Sequence, residues 1–255
     1  LSDVLIAGYL KSIRTDNLRA EISQLSAFDD LTHVRINDLK VLDFAMLTDG
    51  FSSKQIYLQT PKSSLTINDV AWTYPAILDN IDDAVHRGEY NVDIAPSTVV
   101  LSEIAPFVPA LAQYHSPINL YMSAKGNLPT VDVSVLQVDC EDASLHAVAS
   151  MSDCYDYANS YYKADLLISA DNGEVLTMVD TSLTKNDIVK RLFPFATNLK
   201  ANGKPCGLNF NLGANTPVTK LKSDGKLIYN KNADVLNVLA TLATDTADIA
   251  KLIGD

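Results

Sequence analysis

Four histidines, three cysteines and a few close-set carboxylates are the residues with which this chain can do chemistry. His33, His86, His115 and His146 are far apart in sequence, so no helix or strand presents two of them together. Asp82, Asp83, His86 and Glu89 fall on neighbouring turns of one helical stretch, a spacing that can ligate a divalent cation. The plainer reading is a polar helix face ahead of a glycine cap, Gly88. Asp153 and Asp156, beside Tyr155 and Tyr157, suggest a carboxylate pair with sugar-stacking rings, but the segment also reads as a polar, tyrosine-rich connector. Cys140, Cys154 and Cys206 form no CxxC pair. Cys140 and Cys154 can bridge only if their strands are neighbours, and buried or free thiols are the simpler reading. The chain lacks GxSxG, HExxH, Walker and GxGxxG motifs, and its ten glycines leave little for phosphate-cradling loops. These residues call for no cofactor, no metal and no enzymatic activity.

Charge narrows the partners further. Twenty basic against 31 acidic residues give a net charge of −11, which argues against nucleic acid and against electrostatic docking on anionic lipid. No run approaches the length of a transmembrane helix. The opening Leu-Ser-Asp and the unit-like start at Asp248 read as the ends of a piece cut from a longer protein.

The elements that must position any site are mostly strands. Leu18-Arg-Ala-Glu-Ile22, Val34 to Phe44, Ile56 to Leu58 and Leu65 to Trp72 alternate apolar and polar residues, with a hairpin signal at Asp49-Gly50. Trp72 reads as core or interface. Strands are also expected at Tyr90–Ile94, Ile118–Met122, Val131–Val135, Leu145–Val148, Ala164–Ile168 and Glu174–Leu183. In the last third, Leu208–Leu212, Val218–Leu221 and Lys226–Tyr229 complete the set, and Val235–Leu242 reads as strand or helix, with strand favoured. Short helices are expected at 3–13, 76–87, 102–111 and 186–193. The third has Ser102 as a cap, Glu103 at the positive end and Pro106 and Pro109 limiting its length. Acid-led phrases recur at Asp3, Glu103, Asp187 and Asp248, an irregular repeat of one short helix and a β-meander. The predicted fold is therefore mainly β, an antiparallel meander folded over like a taco or a sandwich around an apolar interior, with three or four short helices. Its units are expected at 1–90, 91–183 and 184–255, the last cut short.

The run Asp93-Ile-Ala-Pro-Ser-Thr-Val-Val-Leu-Ser-Glu-Ile-Ala-Pro-Phe-Val-Pro-Ala-Leu111 resembles a recurring phrase of TamB-type translocation and assembly proteins, members of the AsmA-like group of Gram-negative envelopes. Asn17–Ile22 with Leu65–Tyr74 resembles the strands that precede that phrase, and Ser116–Asp139 those that follow. The likeness covers most of the chain in order and style; it is strongest at 91–111 and weak after about 215. It implies a middle, periplasmic segment of a longer protein anchored in the inner membrane. Such a protein crosses the periplasm as an apolar β-trough, takes part in outer-membrane protein assembly and moves phospholipid between the membranes. The outer-membrane assembly partner would bind through regions outside this segment.

A sheet with one apolar face and too little helix to cover it must close on itself or hold an apolar ligand. An acyl chain gains about 0.8 kcal/mol per buried methylene, so a row of aliphatic side chains suffices to hold phospholipid. The groove-lining candidates are Leu18, Ile22, Leu65, Ile67, Leu120, Met122, Val133, Val135, Leu166, Ile168, Leu208, Phe210 and Leu212. Ile104, Phe107, Val108 and Leu111 are the candidates for a groove-plugging helix. A closed core of the same residues is the plain alternative. A surface β-sandwich that recognises glycan or protein, with Tyr155 to Tyr162 as its platform, is the other function class. Exposed strand edges are expected if the meander is truncated.

Overall fold

The computed structural model describes residues 2–14, 16–74, 87–127, 129–153, 156, 159–173, 186–230, 235–248 and 250. They form two compact units, Leu1–Glu141 and Asp142–Asp255. The boundary falls in the turn at Glu141–Asp142. The expected division at 90/91 lies inside a continuous strand, and that at 183/184 lies outside the described residues.

The first unit is an antiparallel meander of β1 (Ser2–Arg14), β2 (Asn17–Phe28), β3 (Arg35–Leu47), β4 (Gly50–Ser53), β5 (Gln55–Gln59), β6 (Ser64–Thr73), β7 (Glu89–Val99), β8 (Ile118–Asn127) and β9 (Thr130–Cys140). β4 and β5 both pair with β3 on one side and β6 on the other. They are one strand position, broken at Lys54 opposite a bulge at Asp43, whose φ is 49°. Ser53 closes the break by donating from Oγ to the Leu42 carbonyl at 2.8 Å. The second unit is likewise a meander: β10 (Ala143–Ser152), β11 (Tyr161–Ala170), β12 (Phe195–Lys204), β13 (Gly207–Asn215), β14 (Thr219–Asn230) and β15 (Val235–Ala247). Each strand pairs antiparallel with its sequence neighbours. Alternation over short runs explains this order, because tight turns can join only adjacent antiparallel strands.

Two helix expectations are corrected. Residues 3–13 form strand β1, not a helix. The register explains the error: Leu10 faces Ala20, Ser12 faces Arg19 and Ile13 faces Leu18, so Lys11 is an extra residue in a bulge. A bulge places residues three apart, here Leu10 and Ile13, on one face, which imitates helical spacing. Residues 102–111 form two 3-10 turns, Leu101–Ile104 and Pro109–Leu111, and Ser102 lies inside the first, with Val100 at the cap position and no side-chain cap bond. The helix expected at 186–193 is present as Asp187–Arg191. Most of the helix expected at 76–87 lies outside the described residues, as does the strand expected at Glu174–Leu183. Val235–Leu242 is strand, within β15.

Glu103 does more than favour a helix terminus. Its carboxylate accepts bonds from the hydroxyls of Thr60 and Ser63 and from the Lys62 backbone N–H at 3.0 Å. Ser63 Oγ in turn accepts the Val100 N–H at 2.9 Å. The segment from Val100 is thereby tied to the bend between β5 and β6, some forty residues earlier.

Candidate functional site

Residues directly opposite each other in an antiparallel pair present their side chains on the same face, so the register sorts every strand residue. In the first unit Ile13 faces Leu18, which faces Met46, and Leu10 faces Ala20, which faces Phe44. Further along, Val41 faces Ile56, which faces Ile67, which faces Ile94, which faces Met122, which faces Leu136. One face is therefore apolar from β1 to β9. With neighbouring strands about 4.8 Å apart, seven steps make an apolar band roughly 34 Å across. Trp72 belongs to it, edge-on to Phe51 at 6.1 Å and to Tyr74 at 5.8 Å.

The second unit repeats the arrangement. Leu145 faces Ile168; Leu166 faces Leu199, which faces Leu212; Ala201 faces Phe210; Leu208 faces Leu227, which faces Val238. Phe210 lies over Gly225: a Cβ there would stand 2.6 Å from the ring Cζ. The opposite face of β13 is Asn209, Asn211 and Asn215, facing Lys226, Asp224 and Lys220 across β14.

Twelve of the thirteen groove candidates stand on these apolar faces. Val135 does not. It faces Ser123, whereas Val133 faces Ala124, and the bulge between them turns residues two apart to opposite sides. The register adds residues that alternation alone missed. Ile6, Leu10 and Ile13 were hidden by a helix-like spacing, and Leu136 and Val138 lie beyond the β9 bulge.

Burial separates a packed core from an open face. All thirteen candidates are half-buried. Among the described residues the buried apolar side chains are Ala45, Val100, Ala124, Ala147, Ala170 and Val218, with no Leu, Ile, Met, Phe or Trp. A closed core of 255 residues would bury many such side chains. Here, among the described residues, the apolar rows pack chiefly against the rows of their neighbouring strands. Ser97, which interrupts the first unit's row, is satisfied locally: its Oγ donates to the Ala95 carbonyl at 2.7 Å and accepts the Thr66 N–H at 2.9 Å. The four plug candidates are not buried against a face: Ile104, Phe107 and Val108 are exposed and Leu111 is half-buried.

Charge collects on the other side. Lys11 bridges Glu21 at 3.1 Å and Asp43 at 2.7 Å, and Tyr9 donates its hydroxyl to Glu21 at 2.6 Å. The Tyr9 hydroxyl, then Lys11, hold the Glu21 carboxyl below its ordinary range, and Lys11 does the same for Asp43. Lys11 is pushed up by Asp43 and Glu21 in return. The second unit's polar side holds a depression of about 390 Å³, floored by Leu167, Ala196 and Gly213 and rimmed by Asn198, Lys220, Lys222 and Asp245.

The residues singled out for chemistry are not brought together. Among the described residues no three His, Cys, Asp or Glu side chains gather closely enough to hold a metal ion. Asp82, Asp83 and His86 lie outside those residues, and so do Cys154, Tyr155 and Tyr157. Cys206 is an exposed free thiol. Tyr161 faces Ser152 and Tyr162 faces Met151, so these two neighbours point to opposite faces and share no stacking platform. No helix among the described residues is long and apolar enough to cross a membrane. Comparison with protein-family models, curated proteins and solved structures gives no match.

Proposed function

We propose that the chain is a non-enzymatic segment of an apolar β-groove that holds the acyl chains of phospholipid, within an envelope-spanning protein of the TamB type. The observation that carries this reading is that the aliphatic rows are half-buried in the middle strands and exposed on β1 and β15, with no Leu, Ile, Met, Phe or Trp buried among the described residues. Such a face costs free energy in water at about 25 cal/mol per Å² left exposed, and an acyl chain removes that cost without a single polar contact. The absence of charge from the rows suits a hydrocarbon occupant better than a glycan or a polar peptide. The resemblance of Asp93–Leu111 and its flanking strands to TamB-type proteins supports the same assignment. It also supports a periplasmic location in an inner-membrane-anchored protein that serves outer-membrane protein assembly.

On this reading phospholipid slides along the strands' apolar side while the Lys, Asp and Asn rows of the other side face water. Curling of the sheet around the apolar side would form the taco-like interior. Native mass spectrometry of gently purified chain is the test. Bound phospholipid is the expected result; a chain that stays lipid-free, and takes up none from vesicles, removes the conduit reading.

A further inference from the structure

We propose that the depression on the polar side of the second unit binds a small organic anion with a flat apolar body. It lies across β11 to β14 on the face opposite the aliphatic rows, so it does not depend on what those rows hold. Its centre is Gly213, between Asn198 of β12 and Lys222 of β14. A glycine inside a strand weakens it, and usually marks a bulge, a close backbone or an approaching ligand. The first two do not apply here. Pairing runs through Gly213 on both sides without a register shift, its φ is not left-handed, and a Cβ built there meets nothing within 4 Å. At every other strand glycine among the described residues such a Cβ would stand 2.8 Å or less from a neighbouring atom. What the missing side chain makes is the hollow itself.

The lining sets the chemistry of the ligand. Leu167 is 51% exposed on this otherwise polar side, and with Ala196 it gives the hollow, about 390 Å³, an apolar floor. Neighbouring strands are about 4.8 Å apart and alternate residues about 7 Å apart, so one absent side chain leaves a slot for a flat ring system. Two cations stand at the rim. Lys222 lies 3.7 Å from Asp245, whereas Lys220 has no acidic partner among the described residues. Asn198 and Asn215 add carboxamide donors. In a chain of net charge −11 this lining carries Lys220 and Lys222 against Asp245 alone, and so favours an anionic group over a neutral or cationic one.

Titration with 1-naphthoate, with uncharged 1-naphthylmethanol as the control, tests this by NMR. Naphthoate should shift the side-chain amide signals of Asn198 and Asn215, which lie off the aliphatic face, with a dissociation constant of about 1 mM or tighter. The alcohol, or the variant Lys220→Gln, should bind about two- to fivefold more weakly at low salt. Asp245→Asn, which releases Lys222, should bind naphthoate more tightly. Gly213→Val fills the hollow with a strand-favouring residue, and should lose the probe while melting at or above the parent temperature. No shift at either asparagine, equal affinity for acid and alcohol, or a probe retained by Gly213→Val each overturns the proposal. So does a valine variant that melts lower, because the hollow would then be filled in the free chain.

Discussion

Phe210 offers the sharpest separation of an open apolar face from a closed core. Its ring covers Gly225 and stands beside Ala201, Leu208 and Leu212 on the apolar face, yet it is only half-buried. Phe→Ala at a fully buried site costs about 3–5 kcal/mol, so half burial predicts about 2 kcal/mol for Phe210→Ala. Phe210→Asp removes the same contacts and adds a carboxylate. On an open face the carboxylate stays hydrated, and the further cost is about 1 kcal/mol or less, the span of strand preference. In a closed core it would be an unpaired buried charge costing several kcal/mol more. At about 2–4 °C per kcal/mol, the alanine variant should melt about 4–8 °C below the parent, with aspartate no more than about 4 °C lower still. Circular dichroism melts, paired with uptake of a fluorescent acyl probe, read both quantities. An aspartate variant that melts far below the alanine variant, or does not fold, refutes the open face. One that folds but loses the probe supports it.

Acid should loosen β1 first. The folded-state carboxyls of Glu21, Asp43, Asp29 and Asp30 are held low by Tyr9, Lys11, Thr32 and Ser2 respectively. Their contribution is therefore complete above the ordinary carboxylate range and is lost as pH falls through the lowered values. Hydrogen exchange at pH 3 against pH 6 is expected to show faster exchange in β1–β3 than in β7–β9; equal change across the sheet counts against this. Glu103→Ala should free the segment from Val100 to Tyr114 and lower stability by about 1.5–3 kcal/mol, the scale of a charge-assisted hydrogen bond. Urea midpoints and local exchange check this. Gly126→Ala puts a Cβ against the Thr130 carbonyl at a φ of 147°, and should cost about 1–3 kcal/mol by urea titration. An unchanged midpoint would mean that the hairpin yields freely.

Much of the fold was legible because antiparallel strands with one wet face write their period directly. Leu208-Asn-Phe-Asn-Leu212 is the clearest case, and both its register and its two faces are as the alternation says. What escaped was set by bulges. Lys11, Ser134 and Asp43 each shift the parity of a strand, and nothing in the residues themselves announces an extra position. β1 was thus mistaken for a helix and Val135 for a partner of Val133. The tether at Glu103 was hidden for another reason. Its partners, Thr60, Lys62 and Ser63, are about forty residues away and become neighbours only when the meander forms. Whether the apolar face is open is not legible in the sequence, because alternation reads the same whether the dry side is covered or bare.

Face-resolved cross-linking tests the central claim most directly. A photoreactive residue placed in turn at 208, 209, 210, 211 and 212 walks along β13 from one side of the sheet to the other. If the apolar face holds acyl chains, irradiation with phospholipid vesicles should give lipid adducts at 208, 210 and 212 and little at 209 and 211. Adducts with no two-residue period, or none at any position, would contradict the account.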